Sequence, residues 1–224
     1  MDKESKGARN EMKRNYNEYY GTEDRGPTAH YPHQLIDRLF GFAWTVDPSK
    51  RHVLDIGCGN CYYLDTLKNL GWDANGVDLE AAMCSKHVKV CDFEKKIPYA
   101  DESYDIVFTK SVIEHLRKPE NLVSEAWRLL KLGGKIIVIA PDWKVCWKSF
   151  YDDCTHHSPV TIASLKAILE IHGFSDVISE RFYQFPWTWD KEWQRPFYSF
   201  ASRFTKARWI QYSRWPMILA TGVK

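Results

Sequence analysis

Residues 53–60 read VLDIGCGN and combine a short apolar run with a Gly-x-Gly turn. The apolar run predicts a buried strand over residues 52–57, followed by a helix after the turn. Glycines at such a junction let the backbone approach a ligand, and the helix N-terminus offers unpaired N–H groups. Asp78 follows Gly57 by twenty-one residues, at the end of the next predicted strand, where a carboxylate can accept both hydroxyl groups of a ribose. Together these features predict a site for a nucleoside cofactor.

Two residues near the turn argue against a dinucleotide ligand. Tyr62 stands at the sixth position, where the G-x-G-x-x-G fingerprint has its third glycine. Asp55 lies inside the apolar strand, where an unpaired buried carboxylate is energetically costly. A carboxylate at that place suits a ligand with an ammonium or sulfonium group. A nicotinamide oxidoreductase is therefore a disfavoured alternative.

Apolar strands alternate with amphipathic helices along the chain. Helices are predicted over residues 34–43, 63–70 and 122–130, and Thr161 is predicted to cap a further one. This alternation predicts one doubly wound α/β domain with a mostly parallel, seven-stranded sheet covered on both faces. The strands are expected at 52–57, 72–78, 88–92, 104–109, 135–140, 174–179 and 216–223.

Composition and charge narrow the class of protein. The chain has 224 residues and 44% hydrophobic residues, which fits one domain. Its net charge of +2 argues against a protein that binds polyanions through its overall charge. It shows no apolar run near the roughly 18 residues of a membrane span and no apolar signal-peptide segment at its start. The six cysteines predict free thiols in a soluble, cytoplasmic domain. We expect a leader and cap segment at 1–33 and the domain at 34–224.

Four motifs in these predicted elements resemble those of the class I S-adenosylmethionine (SAM)-dependent methyltransferases. They are VLDIGCGN, GVDLE at 76–80, the run from 90 to 116 that ends in IEHL, and RLLKLGGKIIVIAP at 128–141. The resemblance implies a Rossmann-like methyltransferase fold, with SAM as cofactor and S-adenosylhomocysteine as product. One departure is the short stretch between Asp78 and Cys91, which leaves room for about one helical turn.

Further motifs are similar to the small-molecule branch of these enzymes. They are the Glu-His pair at 114–115 and the Asp-x-Thr-His run at 153–156. That branch includes ubiquinone-pathway O-methyltransferases and enzymes that act on sugars or polysaccharide termini. The resemblance therefore implies an acceptor that is a small molecule, a glycan or a lipid-linked molecule.

The resemblance also implies a set of cofactor-binding residues. Asp55 would lie near the amino end of SAM, Asp78 would bind the ribose, and Asp92 would meet the adenine amino group. The glycine turn would contact the methionine part of SAM. Lys110 and Ser111, after the fourth strand, would line the floor of the cofactor site through backbone groups. The alternative is that the glycines only form a turn and that the apolar members only fill the core. The full set is Asp55, Gly57, Cys58, Gly59, Asp78, Leu79, Asp92, Phe93, Lys110 and Ser111.

Three histidines are candidates for a general base, which a hydroxyl acceptor needs. His115 follows the fourth predicted strand, while His156 and His157 lie in a polar segment after the fifth, and both places are at the ligand-binding edge of such a sheet. Asp152 or Asp153 would orient an imidazole there. The alternative is that these histidines only pack, cap a helix or stabilise a turn. No metal is predicted: Asp142, Asp152 and Asp153 are carboxylates that could gather, but nothing in the sequence requires an ion.

The segment 181–216 holds thirteen aromatic residues, seven Lys or Arg and two acids. We interpret 181–215 as an insertion before the last strand that forms a helical lid. A second interpretation is peripheral membrane contact through 187–215, since Trp and Arg suit the headgroup region. A stacking platform for single-stranded nucleic acid ranks last. Tyr16, Tyr19, Tyr20 and His30 resemble the family's cap over SAM and acceptor, with helix packing as the alternative.

The predicted function is methyl transfer from SAM to oxygen, with nitrogen as the second choice. One alternative is an RNA or protein methyltransferase, for which the segment 181–216 would present a continuous exposed face. Another is a non-catalytic SAM-binding subunit of a partner complex. The intact glycine turn with Asp55 and Asp78 disfavours this alternative, although by itself it indicates only that the chain can bind SAM.

Overall fold

The computed structural model describes residues 30–41, 51–79, 87–184, 186, 189 and 216–224. Within them, seven strands form one sheet in the order β3-β2-β1-β4-β5-β7-β6, which confirms the predicted α/β fold. The strands are β1 His52–Ile56, β2 Asp73–Asp78, β3 Val88–Val90, β4 Tyr104–Lys110, β5 Leu130–Pro141, β6 Ser175–Phe182 and β7 Met217–Val223.

Five α-helices and two 3₁₀ turns accompany the sheet in the described residues. Thr161 caps the last helix as predicted: its side chain accepts a hydrogen bond from the Ser164 N–H, and the Ser164 side chain accepts one from the Thr161 N–H. The helices are α1 Tyr31–Phe40, α2 Tyr62–Asn69, α3 Pro119–Leu129, α4 Trp143–Cys146 and α5 Ile162–Ile171, with 3₁₀ turns at Ile113–His115 and Phe150–Asp152.

Strand direction places several carboxyl ends at one edge of the sheet. β1, β2, β3, β4 and β5 are mutually parallel, while β7 runs antiparallel between β5 and β6. In a parallel sheet the loops that follow the strands meet at the same edge, where ligands bind. We call this the carboxyl edge.

The alternation of side chains in β5 shows how both faces of the sheet are covered. Ile136 and Val138 are buried in one cluster with α3 and α5, whereas Ile137 and Ile139 are buried in another with α1 and α2. All four are fully buried. The uninterrupted apolar run KIIVIA therefore reflects a strand with a helical layer on each side.

Two strands differ from their predicted bounds. β5 begins at Leu130, because Leu130 pairs with Tyr104 and the ladder resumes at Lys135 after an irregularity. The Gly133 N–H donates to the Lys224 carbonyl, so the predicted loop is part of the strand. β3 ends at Val90 rather than at residue 92, since the Asp92 carbonyl accepts a bond from the Lys95 N–H and starts a turn.

Helix α1 begins at Tyr31, three residues before the predicted start, and so crosses the predicted domain boundary at residue 34. Pro32 occupies its first turn, a position where the missing N–H costs no helical hydrogen bond. The Tyr31 side chain is fully buried, which anchors the helix to the domain. Apolar spacing alone detected the middle of this helix but not its start.

Several predicted features lie outside the described residues. They are the tyrosines at 16, 19 and 20, the short stretch at 80–86, and nearly all of 185–215. At the start of the last segment, Trp189 packs beside Phe182 and Tyr31, and its indole N–H donates to the Tyr183 carbonyl at 2.7 Å. Among the helices that the structure describes, none is long and apolar enough to cross a membrane.

The cysteines correct one prediction. Cys58, Cys91, Cys146 and Cys154 are free thiols, as expected, but Cys61 is disulfide-bonded, so the prediction of free thiols throughout is wrong at that residue. The compositional argument considers only the redox compartment, whereas pairing depends on which thiols the fold brings together.

Candidate functional site

The turn after β1 is shaped by close packing at Gly57. Gly57 has φ +76°, and a β-carbon there would collide with the Val112 side chain. The N–H groups of Gly57 and Cys58 both donate to the Val77 carbonyl, at 2.8 and 3.2 Å. The turn is thus fixed to the end of β2, and its first two N–H groups are used within the protein.

Asp78 closes this turn from the end of β2. One of its carboxylate oxygens accepts a hydrogen bond from the Gly59 N–H at 2.9 Å. Gly59 itself has φ +48° and open space within 4 Å of where a β-carbon would stand. Asp78, which is predicted to bind the ribose, and the glycine turn, which is predicted to contact the methionine part of SAM, therefore lie together at the carboxyl edge.

Asp55 is a buried carboxyl group on the second-to-last residue of β1, near the carboxyl edge. It is 2% exposed, and its Oδ2 has no hydrogen-bond partner among the residues that the structure describes. Burial, with a smaller contribution from Asp78, raises the pKa of Asp55 to about 8, although Lys110 acts in the opposite direction. An orphaned buried carboxyl group fits a ligand that brings a positive charge, such as the amino group of SAM.

The predicted adenine contacts occupy more ordinary surroundings. The Asp92 carboxylate accepts a bond from the Glu94 N–H at 3.2 Å and pairs with the Lys95 ammonium at 3.1 Å. Phe93 is buried in the core, and Leu79 packs partly buried against the same cluster. These three residues have a structural role already, so their contact with adenine stays a prediction.

The two residues predicted to line the floor differ in what they offer. Ser111 has φ +55°, and its N–H donates to the Ile139 carbonyl at 2.8 Å, so this N–H is used inside the sheet. The Lys110 ammonium lies 5.5 Å from the centre of the Tyr63 ring. The positive charge of Lys110 also acts on Asp55 and Glu114. It partly offsets the rise in pKa that burial causes at each of these carboxyl groups.

Of the three candidate bases, the structure brings two together. The rings of His115 and His156 lie 4.7 Å apart between centroids in an edge-to-face arrangement. His157 is exposed and lines a shallow cavity with Pro119 and Ile168, while its N–H donates to the Glu114 carbonyl. Its side chain is therefore directed to a different place from the other two.

Asp153 and Thr155 join this pair of histidines. The His115 Nδ1 lies 2.8 Å from the Thr155 hydroxyl oxygen, which lies 2.6 Å from a carboxylate oxygen of Asp153. The His156 Nδ1 lies 2.6 Å from the Phe150 carbonyl, and its Nε2 lies 3.8 Å from the other Asp153 oxygen. We call Glu114, His115, Asp153, Thr155 and His156 the histidine cluster.

Glu114 adds a buried carboxyl group to the histidine cluster. It is 1% exposed, and its Oε2 has no hydrogen-bond partner within the described part of the chain. Burial raises the pKa of Glu114 to about 8. One ligand atom each from Glu114, His115 and His156 lie within 4.8 Å of one another, which is a set that could hold a metal ion. Imidazole and carboxylate are donors typical of zinc and iron sites.

The aspartates considered from the sequence do not form that set. Asp142 is 1% exposed, and one of its oxygens accepts bonds from the Arg181 guanidinium at 3.0 and 3.2 Å. Its other oxygen caps helix α4 through the Lys144 N–H. The structure therefore assigns Asp142 to an ion pair.

Several residues that shape the site carry no clear signal in the sequence. Val112 limits Gly57, and a β-carbon at Gly76 would come within 2.8 Å of the Cys58 sulfur. Thr155 and Arg181 make their contacts with partners about forty residues away in sequence. The Asp-x-Thr-His run was the only sequence signal for Thr155, and nothing in the pattern indicated the other contacts.

Comparisons with known proteins find SAM-dependent methyltransferases. Residues 54–138 match the model of a family described as a methyltransferase domain. A probable SAM-dependent methyltransferase of Mycolicibacterium smegmatis is 30% identical over 135 residues, which cover 55% of this chain and 52% of that protein. A SAM-dependent methyltransferase structure from Archaeoglobus fulgidus superposes with a TM-score of 0.60 at 25% identity, covering 85% of this chain and 94% of the other.

Two further relatives are named for their acceptors. Norajmaline N-methyltransferase of Rauvolfia serpentina is 30% identical over 48% of this chain and 42% of its own length. A ubiquinone biosynthesis O-methyltransferase of Glaesserella parasuis is 29% identical over 39% of this chain and 44% of its own length. The chain thus spans about half the length of the curated relatives it matches. In its motifs, its sheet order and these similarities, the chain resembles the class I SAM-dependent methyltransferases.

Proposed function

We propose that this chain transfers the methyl group of SAM to an oxygen atom of a small-molecule, glycan or lipid-linked acceptor. The observation that carries the proposal is that the histidine cluster adjoins the glycine turn. Val112, which packs on Gly57, directly precedes the 3₁₀ turn that holds Glu114 and His115. Lys110 acts electrostatically on both Asp55 and Glu114. The residues that we propose accept the proton and those that we propose bind the cofactor therefore lie at one edge of the sheet.

The protein's own residues would bind and orient the cofactor. SAM, when bound, supplies a methyl group made electrophilic by the sulfonium. Asp55 would hold the amino group and Asp78 the ribose, while the turn at Gly57 lets the backbone come close. Holding donor and acceptor in line can supply roughly 7–11 kcal/mol of the barrier. The remaining requirement is a group that accepts the acceptor's proton.

An oxygen acceptor is favoured because a hydroxyl must lose its proton during transfer, whereas an amine needs only to be neutral. Two histidines beside an aspartate form an arrangement suited to that proton transfer. Relatives of both kinds exist, since one is named as an O-methyltransferase and another as an N-methyltransferase. Oxygen is thus our proposal on the strength of the histidine cluster.

A methyl-transfer assay with labelled SAM tests the proposal. Phenols, sugars and matched primary amines serve as the acceptors. A separate measurement with lipid-linked acceptors in vesicles tests the membrane contact proposed for residues 187–215. We expect label on oxygen acceptors, with a rate that depends on the histidine cluster. Transfer to amines alone would contradict the oxygen assignment. Binding of S-adenosylhomocysteine without transfer to any acceptor, RNA and protein included, would favour the non-catalytic subunit.

A further inference from the structure

The segment that follows β5 at the carboxyl edge collects exposed apolar side chains. Seven large apolar side chains are exposed among the residues that the structure describes, and three of them lie between residues 143 and 152. They are Val145, Trp147 and Tyr151, and the last two, which are 56% and 60% exposed, are the only aromatic members of the seven. Single exposed apolar residues are ordinary, whereas a concentrated group with a polar rim indicates a surface that binds a partner.

The exposed side chains share one face of this segment. The chain runs from α4 through a turn into the 3₁₀ turn at Phe150–Asp152, and the Ser149 N–H donates to the Cys146 carbonyl at 2.9 Å, which continues the helical path. Cys146 and Phe150 are buried, while exposed positions follow at i, i+3, i+4 and i+7, the opposite face of a helix. We call these exposed residues, with Val145 beside them, the aromatic–lysine patch: Lys144, Val145, Trp147, Lys148 and Tyr151.

The domain holds the segment in place at both ends. At its start, Asp142 pairs with Arg181, and the Asp142 carbonyl accepts the Cys146 N–H at 3.1 Å. At its end, the buried Phe150 ring lies 4.5 Å from the His156 ring between centroids, and the Phe150 carbonyl lies 2.6 Å from the His156 Nδ1. An anchored backbone thus presents the patch, so that little conformational entropy is lost when it binds.

Lysines flank the aromatic rings of the patch. Lys144 and Lys148 are exposed one helical turn apart, and the Lys148 ammonium lies 5.3 Å from the centre of the Trp147 ring. Asp152 is the only acid between residues 143 and 152. Trp and Tyr are typical of the headgroup level of a bilayer, where lysine extends its ammonium toward lipid phosphates. Because the core of a protein–protein interface is depleted in lysine, the patch fits an anionic lipid surface better than a second protein.

We propose that the aromatic–lysine patch binds the surface of an anionic lipid bilayer, with its aromatic rings among the headgroups and its lysines against the phosphates. This surface is separate from the segment 187–215, for which membrane contact is predicted from the sequence. The inner side of the patch segment contacts His156, so the bilayer would lie beside the histidine cluster. The delivery of a lipid-linked acceptor to that cluster rests on the proposed function, whereas lipid binding itself needs neither SAM nor an acceptor.

Lipid binding is measured by co-sedimentation of the full chain with phosphatidylcholine vesicles that either contain or lack phosphatidylglycerol. We expect binding where the anionic lipid is present, and we expect added salt to weaken it because exposed charges are screened. Lys144→Gln and Lys148→Gln should each lower the affinity about 5-fold, the usual contribution of a lysine near an anionic surface. Trp147→Ser should lower it roughly 10-fold, because the indole no longer buries apolar area among the headgroups.

Two control variants on α5 match these changes. Ile171→Ser removes an apolar side chain that is more exposed than Trp147, and Lys166→Gln removes an exposed lysine. Both variants should bind the vesicles as the native chain does. Circular dichroism of each variant confirms that it is folded.

Three results would overturn the inference. The first is that the native chain does not bind the anionic vesicles. The second is binding that survives all three patch substitutions, since another segment, such as 187–215, would then be responsible. The third is self-association of the native chain without lipid that Trp147→Ser abolishes, because a second copy would then cover the patch. Lipid binding with the expected losses but without methyl transfer to any acceptor would support this inference and count against the proposed function.

Discussion

The glycine turn and the histidine cluster are built in opposite ways. At the turn, residues 55–59 are consecutive, and their geometry is set by backbone hydrogen bonds to Val77 and by the contact of Gly57 with Val112. In the histidine cluster, His115 and Thr155 come from segments forty residues apart and meet through side chains. The first region is therefore the one that we propose binds the cofactor, while the second is the one that we propose selects the acceptor chemistry.

The largest expected effect separates the two regions by function. His115→Ala should lower the rate of methyl transfer roughly 100- to 10,000-fold, the usual contribution of a positioned general base. The affinity for S-adenosylhomocysteine should stay unchanged, because His115 lies in the histidine cluster and not in the turn. The rate is measured with labelled SAM and the affinity by calorimetry.

His157→Ala is the matched control, since that side chain is exposed and lines a separate cavity. It should leave the rate nearly unchanged. Equal losses of the methyl-transfer rate in His115→Ala and His157→Ala would mean that the rate depends on the integrity of this part of the fold and not on His115 as a general base. A rate abolished by a chelator and restored by a divalent metal would show that the reaction needs a metal ion, for which Glu114, His115 and His156 are the candidate ligands.

The next effect tests whether backbone geometry defines the turn. Gly57→Ala should destabilise the fold by about 3 kcal/mol, because alanine is strained at this positive φ and its β-carbon collides with Val112. Gly59→Ala shares the left-handed conformation but meets no neighbour, so it should cost only about 1 kcal/mol. Urea denaturation of both variants measures the difference, and equal losses would contradict the role of Val112.

A pH-dependent effect concerns the two buried carboxyl groups, one in each region. The pKa values of Asp55 and Glu114 are raised to about 8 in the folded chain, from about 4 when unfolded. The unfolded chain therefore binds fewer protons between pH 4 and 8, and the free energy of unfolding should fall as the pH rises through that window. Each group contributes at most about 1.4 kcal/mol per pH unit.

Asp55→Asn and Glu114→Gln should each flatten this pH dependence when unfolding is measured without ligand. Adding S-adenosylhomocysteine should sharpen the contrast between the regions. Its amino group favours ionised Asp55, so its affinity should rise with pH up to about 8 in the native chain and in Glu114→Gln, but not in Asp55→Asn. An affinity in native protein that is flat over this range would contradict the role of Asp55.

The sequence was sufficient for the parts of the molecule that depend on local pattern. The strand alternation and the VLDIGCGN turn are periodic or contiguous, so the mostly parallel, seven-stranded sheet could be predicted, and Asp78 could be assigned to the same site as the turn. The pairing of Asp142 with Arg181 and the link from His115 to Thr155 were not, because each depends on two side chains that only the tertiary fold brings together. The spacing also placed His156 and His157 side by side, although the loop turns them to different surroundings.

Calorimetric titration with S-adenosylhomocysteine tests most directly whether the turn and Asp78 bind the cofactor. Asp78→Ala should weaken binding by about 1.5–3 kcal/mol, the scale of a charged hydrogen bond. Asp73→Ala, at the opposite end of the same strand and paired with His52, is the matched control and should bind as the native chain does. Micromolar binding that is weakened in Asp78→Ala and kept in Asp73→Ala is the predicted result. Unchanged binding in Asp78→Ala, or no binding by the native chain, would contradict the account.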